Sequence, residues 1–374
     1  RIYTNGSYTF YGAAYADGDI IGVALDLDAG TLDFYKNGVS QGTAATGLTS
    51  TYVAATGNNQ SGPSVSANFG QRPFAYAAPS GFKSLNTANL PTPTIADGST
   101  AMDVVTYTGN GNTQSITGLG FSPDLVWIKR RDGSGQDHVL QDSVRGFTGT
   151  TKLSSSSTSQ ENAGSGTVTS PQYGYISAAS STGFDITAST SGDQVNKNTW
   201  SYAAWTWDAG SSTVTNTDGS ITSSVRANAS AGFSIVTYTG NGSANQTAGH
   251  GLNVTPALKI IKERTGTELW VVSGSLIGVN NRFFLNTTAA VGTAAGYYPA
   301  DSSTTLGISG VNVSPGHNTN SEDYVAYCFA PVLGYSAMGS YTSQSGNNFV
   351  YVGFRPKFLL VKKTAATADN AYEG

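Results

Sequence analysis

Cysteine is nearly absent from this 374-residue chain, with Cys328 standing alone. That excludes an intrachain disulfide and a cysteine-based zinc cluster. Charge is scarce too: 11% of residues are Asp, Glu, Lys or Arg, and the formal net charge is −4. The 19 Lys and Arg are dispersed, which argues against a nucleic-acid partner, since duplex binding needs a concentrated basic stripe. No apolar run reaches the ~18 residues of a spanning helix, so no membrane insertion is expected. No charged-then-apolar leader follows Arg1 and the text stops at Gly374 in mid-pattern, so it reads as a piece of a longer polypeptide. Met (2) is rare, whereas Tyr (20), Phe (15) and Gly (46) are plentiful, and Ser with Thr make up about a quarter of the chain.

Aromatic and β-branched side chains fit a pleated, half-buried surface. Short strand candidates separated by Gly, Ser, Asn and Asp clusters therefore predict an all-β chain. That pattern points to sandwiches or barrels, and the expected form is a set of tandem antiparallel β-sandwich domains, jelly-roll-like, in a beaded array. Helix is expected to be minor.

Internal repetition is the strongest signal. Val104-Val105-Thr106-Tyr107-Thr108-Gly109-Asn110-Gly111 returns as Ile235-Val236-Thr237-Tyr238-Thr239-Gly240-Asn241-Gly242. Pro123-Asp124-Leu125-Val126-Trp127-Ile128-Lys129 returns as Pro256-Ala257-Leu258-Lys259-Ile260-Ile261-Lys262 and again as Pro356-Lys357-Phe358-Leu359-Leu360-Val361-Lys362. Tyr202-Ala203-Ala204-Trp205-Thr206-Trp207 matches Tyr324-Val325-Ala326-Tyr327-Cys328-Phe329. The unit is domain-sized, occurs twice in full and begins a third time. Expected boundaries are a first unit at 1–88, a linker at 89–101, repeat units at 102–210 and 232–335, and a third start at 336–374. Residues 211–231 read as a hairpin linker, a stiff spacer turning at Asp218-Gly219 in the two-residue type I′ geometry.

In the first unit, Gly18-Asp19-Ile20-Ile21-Gly22 leads through a turn at Ala29-Gly30 to Phe34-Tyr35-Lys36-Asn37-Gly38, and Val65 to Phe74 reads as a closing strand. With Asn68-Phe69-Gly70-Gln71-Arg72-Pro73-Phe74, this text resembles the C-terminal half of a SPRY domain, the N-terminal half being missing. The resemblance implies a concanavalin-like sandwich and a binding module. The repeat units, through Val214-Thr215-Asn216-Thr217-Asp218-Gly219-Ser220-Ile221 and Ala231 to Gly240, resemble repeats in tail-fibre-like proteins of tailed bacteriophages. That resemblance implies a virion surface protein, usually homotrimeric, with other virion proteins and host surface polysaccharide or lipopolysaccharide as partners. It brings no ligand residues to this chain. The tail is the expected location, with a capsid-attached fibre or head decoration protein as the alternative. A polysaccharide depolymerase and a structural spacer are further alternatives.

No catalytic set and no cofactor are expected. His138, His250 and His317 lack a nucleophile elbow between strand and helix and read as structural. A glycosidase needs two carboxylates flanking one bond. Asp132 and Asp137 share a loop, yet Asp132 aligns with Thr265 and Asp124 with Ala257, so no acid pair recurs. Asp26, Asp28 and Asp33 lack calcium-loop spacing and read as turn caps. Trp127, Trp205 and Trp207 fall in strand blocks and read as core. Candidate sugar-binding residues are aromatics in turn-rich text beside polar groups: Tyr173 and Tyr175, and Tyr297 and Tyr298 beside Asp301.

Overall fold

A computed structural model describes residues 2–4, 7–49, 52, 54, 64–89, 92–133, 135–164, 167–189, 194–293, 299–308 and 316–365. The chain divides into two compact units, Arg1–Thr92 and Pro93–Gly374. Both are built from antiparallel strands, as the composition predicts, and the described helices are three short 3-10 turns.

In the first unit, β1 (Ile2–Thr4) pairs with β2 (Ser7–Thr9). Strands β3 (Ile21–Asp26), β4 (Thr31–Lys36) and β5 (Val39–Ala45) form a meander. Lys36 pairs with Val39 across Asn37 and Gly38, whose φ values of 49° and 81° are those a type I′ turn demands. Asp26 caps the preceding turn, its Oδ1 accepting from the amides of Asp28 (3.0 Å) and Ala29 (2.9 Å). The closing strand expected at Val65–Phe74 does not form. There the Asn68 and Gln71 side chains accept from the amides of Gly70 and Phe69, and such local bonds compete with a ladder.

The second unit holds both full repeats. The first contributes β6 (Met102–Thr108), β7 (Gln114–Thr117), β8 (Leu125–Arg130), β9 (Val139–Asp142), β10 (Ile176–Ser180), β11 (Gly183–Ile186) and β12 (Ser201–Trp207). These make a four-stranded sheet, β6-β12-β8-β9, and a three-stranded sheet, β10-β11-β7. The hairpin region supplies β13 (Thr213–Asn216) and β14 (Ser223–Asn228). The second repeat supplies β15 (Phe233–Thr239), β16 (Gln246–Gly249), β17 (Leu258–Glu263), β18 (Val271–Ser273), β19 (Asn281–Phe284), β20 (Gly292–Thr293), β21 (Thr305–Ile308) and β22 (Asp323–Phe329). An eight-stranded sheet runs β13-β14-β15-β22-β17-β18-β19-β20, beside the pair β16-β21. The order β15-β22-β17-β18 reproduces β6-β12-β8-β9, so the sequence repeat is a repeat of topology.

Period-2 alternation then decides what meets what. Val126, Ile128, Tyr202 and Ala204 face β7, β10 and β11 inside the first repeat. Val236, Tyr238, Ile261, Tyr324 and Ala326 face β16 and β21 inside the second. The opposite faces meet each other: Leu125, Trp127, Leu140 and Trp207 share one core with Phe233, Ile235, Ile260, Val325 and Tyr327. The second unit is therefore a four-layer stack in which the two repeats share a core instead of standing apart as beads. Trp127 and Trp207 are buried there, with Trp205 packed alongside.

Charge is also sealed between the repeats. The Arg145 side chain is wholly buried, donating to Asp142 (2.6 Å), to Glu161 and to the Tyr327 hydroxyl (2.9 Å), which in turn donates to Asp142 (2.8 Å). The neighbouring carboxylates raise the Arg145 pKa and outweigh its desolvation.

Two further expectations are corrected. Asn216 pairs with Ser223, leaving a six-residue connection in which neither Asp218 nor Gly219 has a positive φ, so no type I′ turn forms. The loop instead lies on β16, where Ile221 bridges Ala248, and β14 pairs with β15, making the hairpin part of the large sheet. In the third copy, Pro356–Lys362 forms no strand. Phe358 packs against Trp205 and Trp207, and Lys357 pairs with Asp103 at 2.9 Å.

Candidate functional site

Equivalent positions in the two repeats separate what the scaffold requires from what it does not. Tyr107 stacks on Tyr202 with ring centroids 5.1 Å apart, and Tyr238 on Tyr324 at 5.2 Å. The Tyr107 and Tyr238 hydroxyls each donate to a carbonyl at 2.7 Å, of Val195 and His317. The Asn196 and Asn318 side chains accept from the amides of Asn110 and Asn241. A Cβ on Gly109 or Gly240 would lie 2.1 or 2.2 Å from a carbonyl oxygen, so only glycine fits. The recurring Thr-Gly-Asn-Gly text is thus structural. So is the recurring lysine, since Lys129 and Lys262 each donate to carbonyls of the loop that follows.

One position departs sharply. Val126 is an ordinary core valine, whereas its counterpart Lys259 buries an ammonium in the second repeat at 2% exposure. Its Nζ donates to the Asp301 carboxylate and to the Gly307 carbonyl at 2.8 Å. Asp301 also accepts from the Gly307 amide at 2.8 Å. An unpaired ammonium here would be strongly destabilising, so Asp301 neutralises the lysine. Ser273 pairs with Lys259 across β17 and β18, is 4% exposed, and its hydroxyl has no hydrogen-bond partner. Lys259, Ser273 and Asp301 line a cleft of about 70 Å³ with Thr255, Ser275 and Asn281.

The nearby titratable groups are held in their neutral forms. His250 Nδ1 accepts from the Leu252 amide (3.1 Å), which leaves Nε2 to donate to the Ser302 carbonyl (3.2 Å); burial lowers its pKa. Burial pulls His317 down to about 3 and pushes the Cys328 thiol up to about 12. Such a thiol is protonated at neutral pH and is a poor nucleophile. The cleft therefore offers hydroxyls, amides and a neutralised ion pair.

Of the residues singled out from sequence, Asp301 lies in this cleft, while Tyr297 and Tyr298 lie outside the described residues. Tyr173 and Tyr175 are half-buried in the first repeat, so they do not join Asp301. Tyr173 covers Lys152, whose ammonium is 5.6 Å from the ring and donates to the carbonyls of Ser170 (2.8 Å) and Gly174 (3.1 Å). Burial lowers that lysine to about 7. Asp132 bonds Arg130 and the Ser201 amide, and Asp137 accepts from Ser156, so each acid has a local structural partner. Among the described residues, no group of three or more His, Cys, Asp or Glu side chains could hold a metal ion. Sequence reasoning passed over Lys259 and Ser273. The signal was the mismatch of Lys259 with Val126.

A family model described as a domain of unknown function, DUF7483, matches residues 97–372, most of the chain. The chain belongs to this family. The match takes in both DUF7483 repeats and the start of the third. A SPRY domain model matches residues 1–72, in line with the resemblance of the first unit. Over 83 residues, 21% of the chain, it is 39% identical to an E3 ubiquitin-protein ligase RKP of Arabidopsis thaliana. Over 66 residues, 18% of the chain, it is 39% identical to Ran-binding protein 10 of Danio rerio. The chain spans only 6% and 11% of the lengths of these two relatives. No solved structure matches.

Proposed function

We propose that this DUF7483 protein is a non-catalytic adhesin on a phage particle, a tail-fibre or receptor-binding component that holds host surface polysaccharide or lipopolysaccharide. The observation that carries the reading is the cleft of the second repeat. Its charges are paired internally, and its remaining polar groups are the hydroxyls and amides suited to a hydroxyl-rich ligand. A single shallow cleft gives weak binding, so the proposal includes a homotrimer in which several copies act together. The SPRY-like first unit supports a recognition role, one of its relatives being named for the protein it binds.

The test is a glycan array probed with the full chain and with Asn281→Ala, beside light-scattering measurement of its mass. Binding to bacterial surface glycans that Asn281→Ala weakens, with a trimeric mass, is the expected result. Release of reducing ends from a bound polysaccharide would replace the adhesin with a depolymerase. Absence of any glycan binding would refute the reading.

A further inference from the structure

A second departure between the repeats lies at the corner where the Asn-Gly loop meets the start of the closing strand. The backbone there is built twice in the same way. The amides of Lys197 and Thr319 each donate at 3.0 Å to a tyrosine hydroxyl, of Tyr202 and Tyr324. The amides of Gly109 and Gly240 donate at 2.8 Å to the carbonyls of Trp200 and Glu322. The Ser201 amide is capped by Asp132 at 2.7 Å, and its counterpart Asp323 by Thr265 at 3.0 Å. Thr199 and Ser321 both sit in the left-handed region, with φ of 71° and 65°.

On this shared backbone the side chains are inverted in charge. The second repeat carries Glu263, Thr319 and Glu322, and the first carries Arg130, Lys197 and Trp200 in their places. The Arg130 guanidinium lies 3.2 Å from the centre of the Trp200 ring, and the Lys197 ammonium 4.4 Å from it. Asp132 fixes Arg130 through a 2.8 Å bond from Nε. All three side chains of the cluster are half-buried, with Asn198 and Thr199 exposed beside them. The second repeat folds the same corner from an acidic set, so folding does not demand cations and an indole here. Thr199 is β-branched at positive φ, a strained conformation that fixes the turn between Lys197 and Trp200.

We propose that Arg130, Lys197 and Trp200 form a binding site for an anionic sugar, one bearing a carboxylate or a sulfate ester. Two cations held by one indole supply the charge recognition, and the aromatic surface with the Asn198 amide suits a sugar's C–H face and hydroxyl rim. This site is separate from the cleft of the second repeat and does not depend on it.

The test is isothermal titration calorimetry on the full chain with three probes: an oligogalacturonate, a sulfated dextran oligomer and plain dextran. The double variant Lys197→Thr, Trp200→Glu installs the residues that the second repeat already uses, so the corner retains its fold; a thermal melt checks this. Lys83→Thr removes an exposed lysine elsewhere as a control for general charge. Binding of either anionic probe in preference to dextran, lowered about tenfold or more in the double variant and unchanged in Lys83→Thr, is the expected result. Which anionic probe binds distinguishes carboxylate from sulfate. No preference for the anionic probes over dextran, equal binding by the double variant, or an equal loss in Lys83→Thr overturns the proposal. Asn281→Ala leaves this binding intact, so failure here and failure of the adhesin reading are read separately.

Discussion

Acidification from pH 7 to 5 removes stability from the second unit through histidines that fold in their neutral form. His138 Nδ1 accepts from Trp127 Nε1 at 2.8 Å, a bond that needs an unprotonated nitrogen. Burial lowers its pKa to about 4, and that of His317 to about 3, from a usual value near 6.5. Both folded values lie below the unfolded one, so between pH 6.5 and 4 the unfolded chain binds the extra protons. The stabilisation is complete above pH 6.5 and shrinks as the pH falls. Each group contributes a slope of ~1.4 kcal/mol per pH unit, so the two together remove roughly 4 kcal/mol by pH 5. Total stabilities of ~5–15 kcal/mol make that a large fraction. Glu263 works the other way, because burial raises its carboxyl pKa and the folded state takes up that proton first. Restricting the measurement to pH 5–6.5 keeps the histidines dominant. The five tryptophans, Trp127, Trp200, Trp205, Trp207 and Trp270, all fall in the second unit, so their fluorescence during urea unfolding reports that unit. His138→Gln keeps an acceptor for Trp127 without a titrating group, and with His250 and His317 still folding neutral it should lower the pH slope by about a third to a half. An unchanged slope in that variant would refute the argument.

Further outcomes follow from the packing. Tyr327→Phe removes the hydroxyl that bridges Arg145 and Asp142 between the repeats and should lower stability by about 1–3 kcal/mol, whereas Arg145→Met leaves the buried Asp142 without its cation and should lower it by about 3–5 kcal/mol, both read by urea denaturation. Gly240→Ala drives a Cβ to 2.2 Å from the Thr319 carbonyl and should reduce stability by more than ~2 kcal/mol, shown as a lower melting temperature. Asp301→Asn should destabilise by about 3–5 kcal/mol, and adding Lys259→Val, the residue type of the first repeat, should recover much of that loss in a double-mutant cycle.

Strand identity and the inward faces were legible because the repeat blocks keep large side chains in phase. The contact between repeats was only half legible. Leu125-Val126-Trp127-Ile128 is an unbroken apolar run, which says that both faces are buried without saying against what. Local preference misled at Asp218-Gly219, where packing onto β16 prevails over the turn the dipeptide favours alone. Pro356–Lys362 matches two central strands in sequence, yet a strand needs ladder partners that the local text cannot supply. In the cleft, Asp301 stood out as a polar group in a turn. Lys259 did not, since a lysine within Leu258-Lys259-Ile260 reads as an outward alternation until its counterpart, Val126, is seen to be core.

Trp207 and Phe329 occupy the same place in their repeats, and their rings pack edge to face with centroids 6.2 Å apart. Contact between equivalent positions is what a two-fold axis produces in a dimer of identical subunits. The second unit carries both halves of such a dimer on one polypeptide. Covalent fusion releases the halves from having to remain alike: one copy can acquire a buried ammonium and the other an indole flanked by cations, while the surface joining them stays closed. A free dimer would repeat every such change twice, and this chain makes each change once.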